Sequence, residues 1–360
     1  MKIETKILVY QIGSLGDTVV SIPALKAVRR RYGLRAHIAL LHETRSNSVA
    51  TPAEVLDGVG LVDEFLEYQS FRHSMRQYLE AVMLAVRLRL RRFQSVVYLM
   101  PSERPAASVR RDAFFFRLSG IHRQIGFHAF SPQMLYKLDD HCLAPHEARL
   151  RLERLRLDGI DVSVESDLSK PFLALPERFT AAARQWLSAR RVTPKLPLAA
   201  ICPGCKQPAN IWPIERFIEL GRRLARHGGV ELIVVGGPAE HEIGERMIQA
   251  WGTGLNAAGE FPPLGSAALL AECAFMIGLD TGTTHLAAAQ GIPCVALYGG
   301  REEPGRFYPL GNGHIVLRHS VSCAPCRLVE TSCTTVGHPC MTGITVDEAW
   351  TAVREMLGSN

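Results

Sequence analysis

Nowhere do the 360 residues contain an apolar run of about 18, so nothing in the sequence reads as a membrane-crossing helix. The opening residues, Met1-Lys-Ile-Glu-Thr-Lys6, pass straight into a strand-like run with no signal-peptide core, which makes the cytoplasm the expected compartment. The nine cysteines are an odd number and argue against a disulfide framework. No nucleic-acid reading motif accompanies the net charge of +6, so the arginine clusters behind it point to some other anion, a phosphorylated molecule or an anionic membrane surface. A second Asp-Thr-Gly is missing as well. The one present, Asp280-Thr-Gly282, runs into helix formers and does not suit the paired carboxylates of an aspartic protease.

What is present is a globular composition, 47% hydrophobic and 21% charged, in a chain long enough for two domains of roughly 170 residues. Phe275–Leu279 is a short apolar run that ends at a glycine-containing turn. Ala287–Ala289 are helix formers, Gly291 before Pro293 stops that helix, and Cys294–Tyr298 is a second apolar run. Strand, helix and strand at this spacing make a βαβ unit in a parallel sheet. Asp280–Thr284 then falls at a strand's carboxyl end and a helix N-terminus, where unpaired N–H groups suit a phosphate; the plain alternative is that Asp280 caps the helix.

The same logic recurs along the chain. Lys6–Ile12 is a strand followed by the tight loop Gly13-Ser-Leu-Gly-Asp17 and a helix in which Pro23 is either a kink or a first-turn residue. Strands are expected at His37–Leu41, Val62–Leu66 and Ser95–Met100, and a helix at Glu147–Leu157. Phe71–Phe93 reads as a long helix with an apolar stripe that includes Leu79, Val82, Val86 and Leu90; Arg72, Arg76, Arg87 and Arg91 recur on another face, read as solvated or, alternatively, as a membrane-surface or phosphate-facing patch. Arg104, Arg110 and Arg111 follow a strand's carboxyl end and are candidates for an acceptor's phosphates. Pro171–Pro176 marks the boundary, giving domains 1–172 and 173–343 and a closing segment, 344–360, with a helix at Thr345–Leu357. In the second half, Leu198–Cys202 and Glu231–Val235 are strands, each with a glycine-bearing loop behind it, and Trp212-Pro213 opens a helix. The expected fold class is therefore α/β, two doubly wound domains facing a cleft.

Ile12-Gly-Ser-Leu-Gly-Asp17 with Ile22-Pro-Ala-Leu25, Pro203-Gly204 leading to Trp212-Pro213, Gly236-Gly-Pro-Ala-Glu240, and Asp280-Thr-Gly-Thr-Thr-His285 with Leu-Ala-Ala-Ala together resemble glycosyltransferase family 9, the heptosyltransferases of lipopolysaccharide synthesis. The resemblance covers almost the whole chain, in order. It implies the B-type glycosyltransferase fold of two Rossmann-like domains, the first binding acceptor and the second an ADP-activated sugar, with the last helix packing back toward the first domain. It also implies Asp17 as catalytic carboxylate, Glu240 against the donor's adenosine part, and Asp280, Thr281, Gly282 and His285 at its diphosphate and sugar. Many family members carry a lysine where this chain has Asn210, and Lys206 is expected to replace it.

Sugar transfer needs a base for the acceptor hydroxyl and donors for the leaving diphosphate. Asp17 is the expected base, although a helix cap is its ordinary role. Gly13 and Ser14 of the same loop are assigned to the acceptor. The N–H groups and hydroxyls of Thr281, Thr283 and Thr284, with His285 and Lys206, are assigned to the diphosphate. No Asp-x-Asp stands in these loops, so transfer is expected without a catalytic metal and with inversion. Cys323, Cys326, Cys333 and Cys340 are expected either to hold a structural zinc or iron or to remain free thiols. Cys202-Pro-Gly-Cys205 is spaced like a redox pair, a minor alternative. The expected partners are a nucleotide-diphosphate sugar and a phosphorylated or lipid-linked glycan, at or near the cytoplasmic face of the inner membrane. Competing readings keep the chemistry but change the acceptor to a protein or small molecule, or make the chain a nucleotide-sugar epimerase or a silent nucleotide binder.

Overall fold

The computed structural model describes residues 5–44, 50–69, 75–162, 171–227, 229–327, 333 and 337–358. The chain divides into two compact units, Met1–Ser169 and Lys170–Asn360.

In the first unit, β1 (Thr5–Tyr10), β2 (Ala36–Thr44), β3 (Glu64–Gln69), β4 (Ser95–Tyr98) and β5 (Arg123–Ile125) form one sheet in the order β3-β2-β1-β4-β5, with every neighbouring pair parallel. Its helices are α1 (Leu15–Tyr32), α2 (Pro52–Leu56), α3 (Met75–Arg91), α4 (Ala106–Leu118), α5 (Pro132–Tyr136) and α6 (Glu147–Leu157). Buried aliphatic runs such as Ile7-Leu-Val9 form central strands because both faces of a parallel sheet are covered. Leu8, Ala39, Leu41 and Val96 pack with Leu84 and Leu88 of α3 and Phe116 of α4. Helix α1 lies against α6 and α2. Pro23 sits inside α1, not in its first turn, and the helix continues through it to Tyr32.

Helix α3 turns the apolar stripe away from the core. An apolar stripe ordinarily faces the core, yet Leu79, Val82, Val86 and Leu90 point outward, and the buried residues are Leu84 and Leu88. Arg72 and the side chain of Arg76 lie outside the described residues.

In the second unit, α7 (Glu177–Arg190) precedes β6 (Leu198–Cys202), and then come α8 (Ile214–His227), β7 (Glu231–Val234), α9 (His241–Trp251), β8 (Leu255–Asn256), α10 (Pro263–Ala271), β9 (Phe275–Leu279), α11 (Gly282–Ala289), β10 (Cys294–Tyr298), β11 (Ile315–Arg318), α12 (Pro339–Thr342) and α13 (Val346–Gly358). The sheet order is β11-β10-β9-β6-β7-β8, again wholly parallel. Counted from its own first strand this is 3-2-1-4-5-6, the doubly wound order. Residues of α8, α9 and α13 share one core with β6, β7 and β9. Helix α13 packs on α8, β10 and β11.

Strand order fixes where ligands can be held. In each sheet the direction of winding reverses between the first strand and the fourth, β1 and β4 in one, β6 and β9 in the other. The loops leaving the carboxyl ends of those two strands diverge and leave a crevice.

Candidate active site

The loop after β1 carries Gly13 and Ser14, and the first turn of α1 carries Asp17, to the first switch point. Ser14 precedes α1, and its N–H and hydroxyl donate to Asp17 Oδ2 at 2.7 and 3.1 Å, so the carboxylate reaches back over the helix start. A Cβ on Gly13 would stand 2.3 Å from the Cβ of Asp17, and Gly13 has φ +151°; only glycine lets the loop fold this closely over the carboxylate.

The second oxygen of Asp17 faces Arg151 of α6. Arg151 Nη2 lies 3.4 Å from Asp17 Oδ1, and Arg151 Nη1 donates to the Asp17 carbonyl at 2.8 Å and to the Ser21 hydroxyl. Arg151 is wholly buried and is paired through Nε with Glu147 Oε1 at 2.9 Å. Glu147 in turn accepts from the Ser102 N–H and hydroxyl at 2.9 and 3.0 Å, which ties the loop after β4 to the loop after β1. The Asp17 side chain retains 21% exposure at the end of this buried chain, oriented but open to solvent.

Arg104 and Arg111 are committed to a carboxylate. Asp112 is buried and accepts from Arg104 Nε at 3.0 Å, Arg111 Nη2 at 3.0 Å and the Tyr98 hydroxyl at 2.9 Å. Burial pulls the Arg104 guanidinium down, but Asp112, helped by Tyr98 and Tyr10, outweighs it and holds the group above the ordinary arginine value. Burial first, then Asp112, pushes the Tyr98 hydroxyl above the usual tyrosine range, so it stays a donor. Arg110 is exposed.

The second unit builds its crevice from the loops after β6, β7 and β9. Glu240 accepts the Gly237 N–H at 2.8 Å, and its carboxyl lies against Gly204, where a Cβ would come within 2.3 Å of Glu240 Oε1. The loops after β6 and β7 are therefore interlocked by that one side chain. Thr281 is the N-cap of α11, with Thr281, Gly282 and Thr283 all part-exposed at the helix tip. Thr284 is placed differently: it is buried, and its hydroxyl donates to the Leu279 carbonyl at 2.7 Å, so that hydroxyl is spent on the strand-to-helix turn. His285 is also buried. Lys206 is exposed on the loop after β6.

Asn210, at the position where the resemblance leads to a lysine, is buried and donates from Nδ2 to Asp280 Oδ2 at 3.3 Å. A Cβ on Gly299 would stand 2.5 Å from Asn210 Oδ1. The amide thus bridges the loop after β9 to that after β10. Cys205 adds a second tie, its thiol donating to the Asp280 carbonyl at 3.2 Å. Burial pushes the Cys202 and Cys205 thiols up to about 12, which leaves both protonated and removes the thiolate that a redox pair needs.

The expected metal at Cys323, Cys326, Cys333 and Cys340 finds no support in their arrangement. Among the described residues no three cysteine, histidine, aspartate or glutamate side chains are grouped as ligands. Cys323 is exposed and the other three are half-buried. Cys326 instead ties its loop to the strand end, its N–H donating to the Gly300 carbonyl at 3.0 Å.

Sequence reading missed Arg151, Glu147, Tyr98 and Asp112 as site-building residues. The signal available for the first two was a four-residue Glu–Arg spacing on one helix, which ordinarily marks a solvated pair.

The family model of glycosyltransferase family 9 (heptosyltransferase) matches residues 109–336. Lipopolysaccharide heptosyltransferase 2 of Salmonella typhimurium is 35% identical over 130 residues, 34% of this chain and 36% of that protein. Lipopolysaccharide heptosyltransferase 1 of Pseudomonas aeruginosa is 31% identical over 144 residues, 39% of each. The chain thus matches little more than a third of the length of these curated relatives. Among solved structures, a family 9 glycosyl transferase from Veillonella parvula superposes with a TM-score of 0.73 at 20% identity, over 100% of this chain and 99% of that one. The E. coli ADP-heptose lipopolysaccharide heptosyltransferase II does so at 0.66 and 22%, over 99% of both. An E. coli heptosyltransferase solved with ADP-2-deoxy-2-fluoro heptose gives 0.64 at 18%, over 98% and 99%. These likenesses carry the fold, two parallel α/β sheets of the B-type glycosyltransferase kind. With the family model spanning more than half of its length, the chain belongs to glycosyltransferase family 9.

Proposed function

We propose that this protein transfers a heptose-like sugar from an ADP-sugar to a hydroxyl of a lipopolysaccharide or related lipid-linked acceptor at the cytoplasmic face of the inner membrane. The observation that carries the reading is the placement of Asp17 at the switch point of one doubly wound sheet, in a family 9 chain, with its carboxylate fixed by Ser14 and Arg151. Asp17 takes the proton of the acceptor hydroxyl as the new glycosidic bond forms. In the second unit, the first N–H groups of α11 and the hydroxyls of Thr281 and Thr283 are suited to hold the leaving diphosphate, with Lys206 adding positive charge. Direct displacement by the acceptor inverts the anomeric centre. Glu240, between the loops after β6 and β7, is suited to a sugar or nucleoside hydroxyl, since a carboxylate only accepts. Support for an ADP-heptose donor comes from the E. coli relative, which was solved with a fluorinated ADP-heptose.

The test uses purified protein, ADP-heptose and heptose-deficient lipopolysaccharide. The parent should release ADP only when acceptor is present, and donor alone should remain unconverted, which separates transfer from epimerisation. Asp17→Asn should cut turnover by about 10²–10⁴ while ADP still raises its melting temperature. Turnover within about tenfold of the parent would remove Asp17 as the base.

A further inference from the structure

Helix α3 has two apolar faces, and the sheet uses only one. Leu84 and Leu88 are 8% and 0% exposed and join the core of the first unit. Leu79, Val82, Met83, Val86 and Leu90 are 60%, 59%, 54%, 51% and 77% exposed. At 3.6 residues per turn these five fall within an arc of about 100° on the side away from Leu88. That is a continuous stripe more than three turns long, not a scatter of exposed side chains, and a surface of this kind ordinarily has something to cover it.

The borders of the stripe say what. On the same helical projection Arg87 and Arg91 run along one side and Arg89 along the other. Arg91 is paired with Glu64, and Arg87 reaches the Glu67 carbonyl at 3.3 Å, so both are held at the rim. On the far side Arg89, Arg92 and His122 line an open polar pocket of about 300 Å³. Along its whole length α3 carries four arginines against one carboxylate, Glu80. A second copy docked here about a two-fold axis would set basic border against basic border in either orientation, which opposes self-association. An anionic surface with an apolar interior matches both the stripe and its borders.

We infer that this face of α3 seats the protein on an anionic lipid bilayer, the stripe entering the boundary between headgroups and acyl chains and the arginines meeting lipid phosphates. The inference names the surface for the membrane part of the proposed function, and its test makes no use of the transfer reaction, so either can fail alone. Among the described residues no helix is long and apolar enough to cross a membrane, and attachment of this kind is reversible.

The whole protein is centrifuged with vesicles of phosphatidylcholine alone and of phosphatidylcholine mixed with phosphatidylglycerol. The parent should sediment with the mixed vesicles, and added salt should release part of it. Leu79→Ser with Leu90→Ser alters two exposed side chains, so the circular dichroism spectrum and the response to ADP should stay as in the parent, while vesicle binding falls by about tenfold or more. Arg89→Gln with Arg92→Gln should reduce the preference for mixed over neutral vesicles and leave the fold unchanged. The inference is overturned if the parent binds neither vesicle, if it binds both equally, or if the leucine variant binds as the parent does. A concentration-dependent dimer in sedimentation velocity, abolished by the same leucine substitutions, would overturn it in favour of a second copy.

Discussion

Replacing Glu147 by glutamine tests the buried chain that orients Asp17. The substitution keeps size and shape, and the amide oxygen can still accept from Ser102 and from Arg151 Nε. What it removes is the charge. Arg151 is wholly buried and Glu147 is 1% exposed, so the pair sits where water cannot compensate for a lost partner. Taking one member out of a buried ion pair costs about 3–5 kcal/mol, and the low end, about 3, applies because Asp17 remains at 3.4 Å as a second, part-exposed counter-ion. With a urea slope of about 2 kcal/mol/M, the midpoint should fall by about 1.5 M. All four tryptophans, Trp186, Trp212, Trp251 and Trp350, lie in the second unit, so their emission gives an internal reference while far-UV circular dichroism follows the whole chain. Asp17→Asn should move the same transition far less, because Arg151 then keeps Glu147, the Ser21 hydroxyl and the Asp17 carbonyl. Turnover should show the reverse ranking, with Asp17→Asn the more damaging. A loss below about 1 kcal/mol for Glu147→Gln would refute the description of Arg151 as a buried cation that depends on this carboxylate.

Two further outcomes are expected. The Glu231 carboxyl is pulled up by burial, but the Arg191 guanidinium and the N–H groups of Val192 and Thr193 more than reverse this and hold it below the ordinary carboxylate value. A depressed carboxylate contributes stability above its unfolded pKa and loses it as pH falls through the folded one. Acid titration of unfolding should therefore show stability dropping below the usual carboxylate range, with a shallower drop in Glu231→Gln; identical profiles would contradict the linkage. Alkylation of the native protein at mildly alkaline pH should label the exposed Cys142 and Cys323 first. Cys202, Cys205 and Cys273, each pushed up to about 12 by burial, should react only after denaturation, as read by peptide mass spectrometry.

Some of this architecture could be read directly from the chain. β6, β9 and β10 occupy the spans the sequence assigned, Leu198–Cys202, Phe275–Leu279 and Cys294–Tyr298, because each is a short apolar run with a clear stop: β6 lies between Pro197 and Pro203, β10 between Pro293 and Gly299, and β9 ends at the polar turn that Asp280 opens. α6 also begins and ends where expected. Helices α4, α7 and α9 and the short strands β5, β8 and β11 had no comparably continuous signal. The arginines after β4 illustrate a different gap: the sequence offered Arg104 and Arg111 as acceptor contacts, and only packing revealed that buried Asp112 holds both.

By itself, then, the sequence determined the alternation of strand and helix and the loops that bear glycine and carboxylate, since these depend on neighbours within a few positions. Tertiary structure decided which face of α3 is buried, because periodicity defines a stripe but not the side on which the sheet lies. It decided the fate of Thr284 and Asn210, whose polar groups turned inward to Leu279 and Asp280. It also joined Arg151 to Asp17 across 134 positions of chain, a contact that exists only because α6 packs on α1.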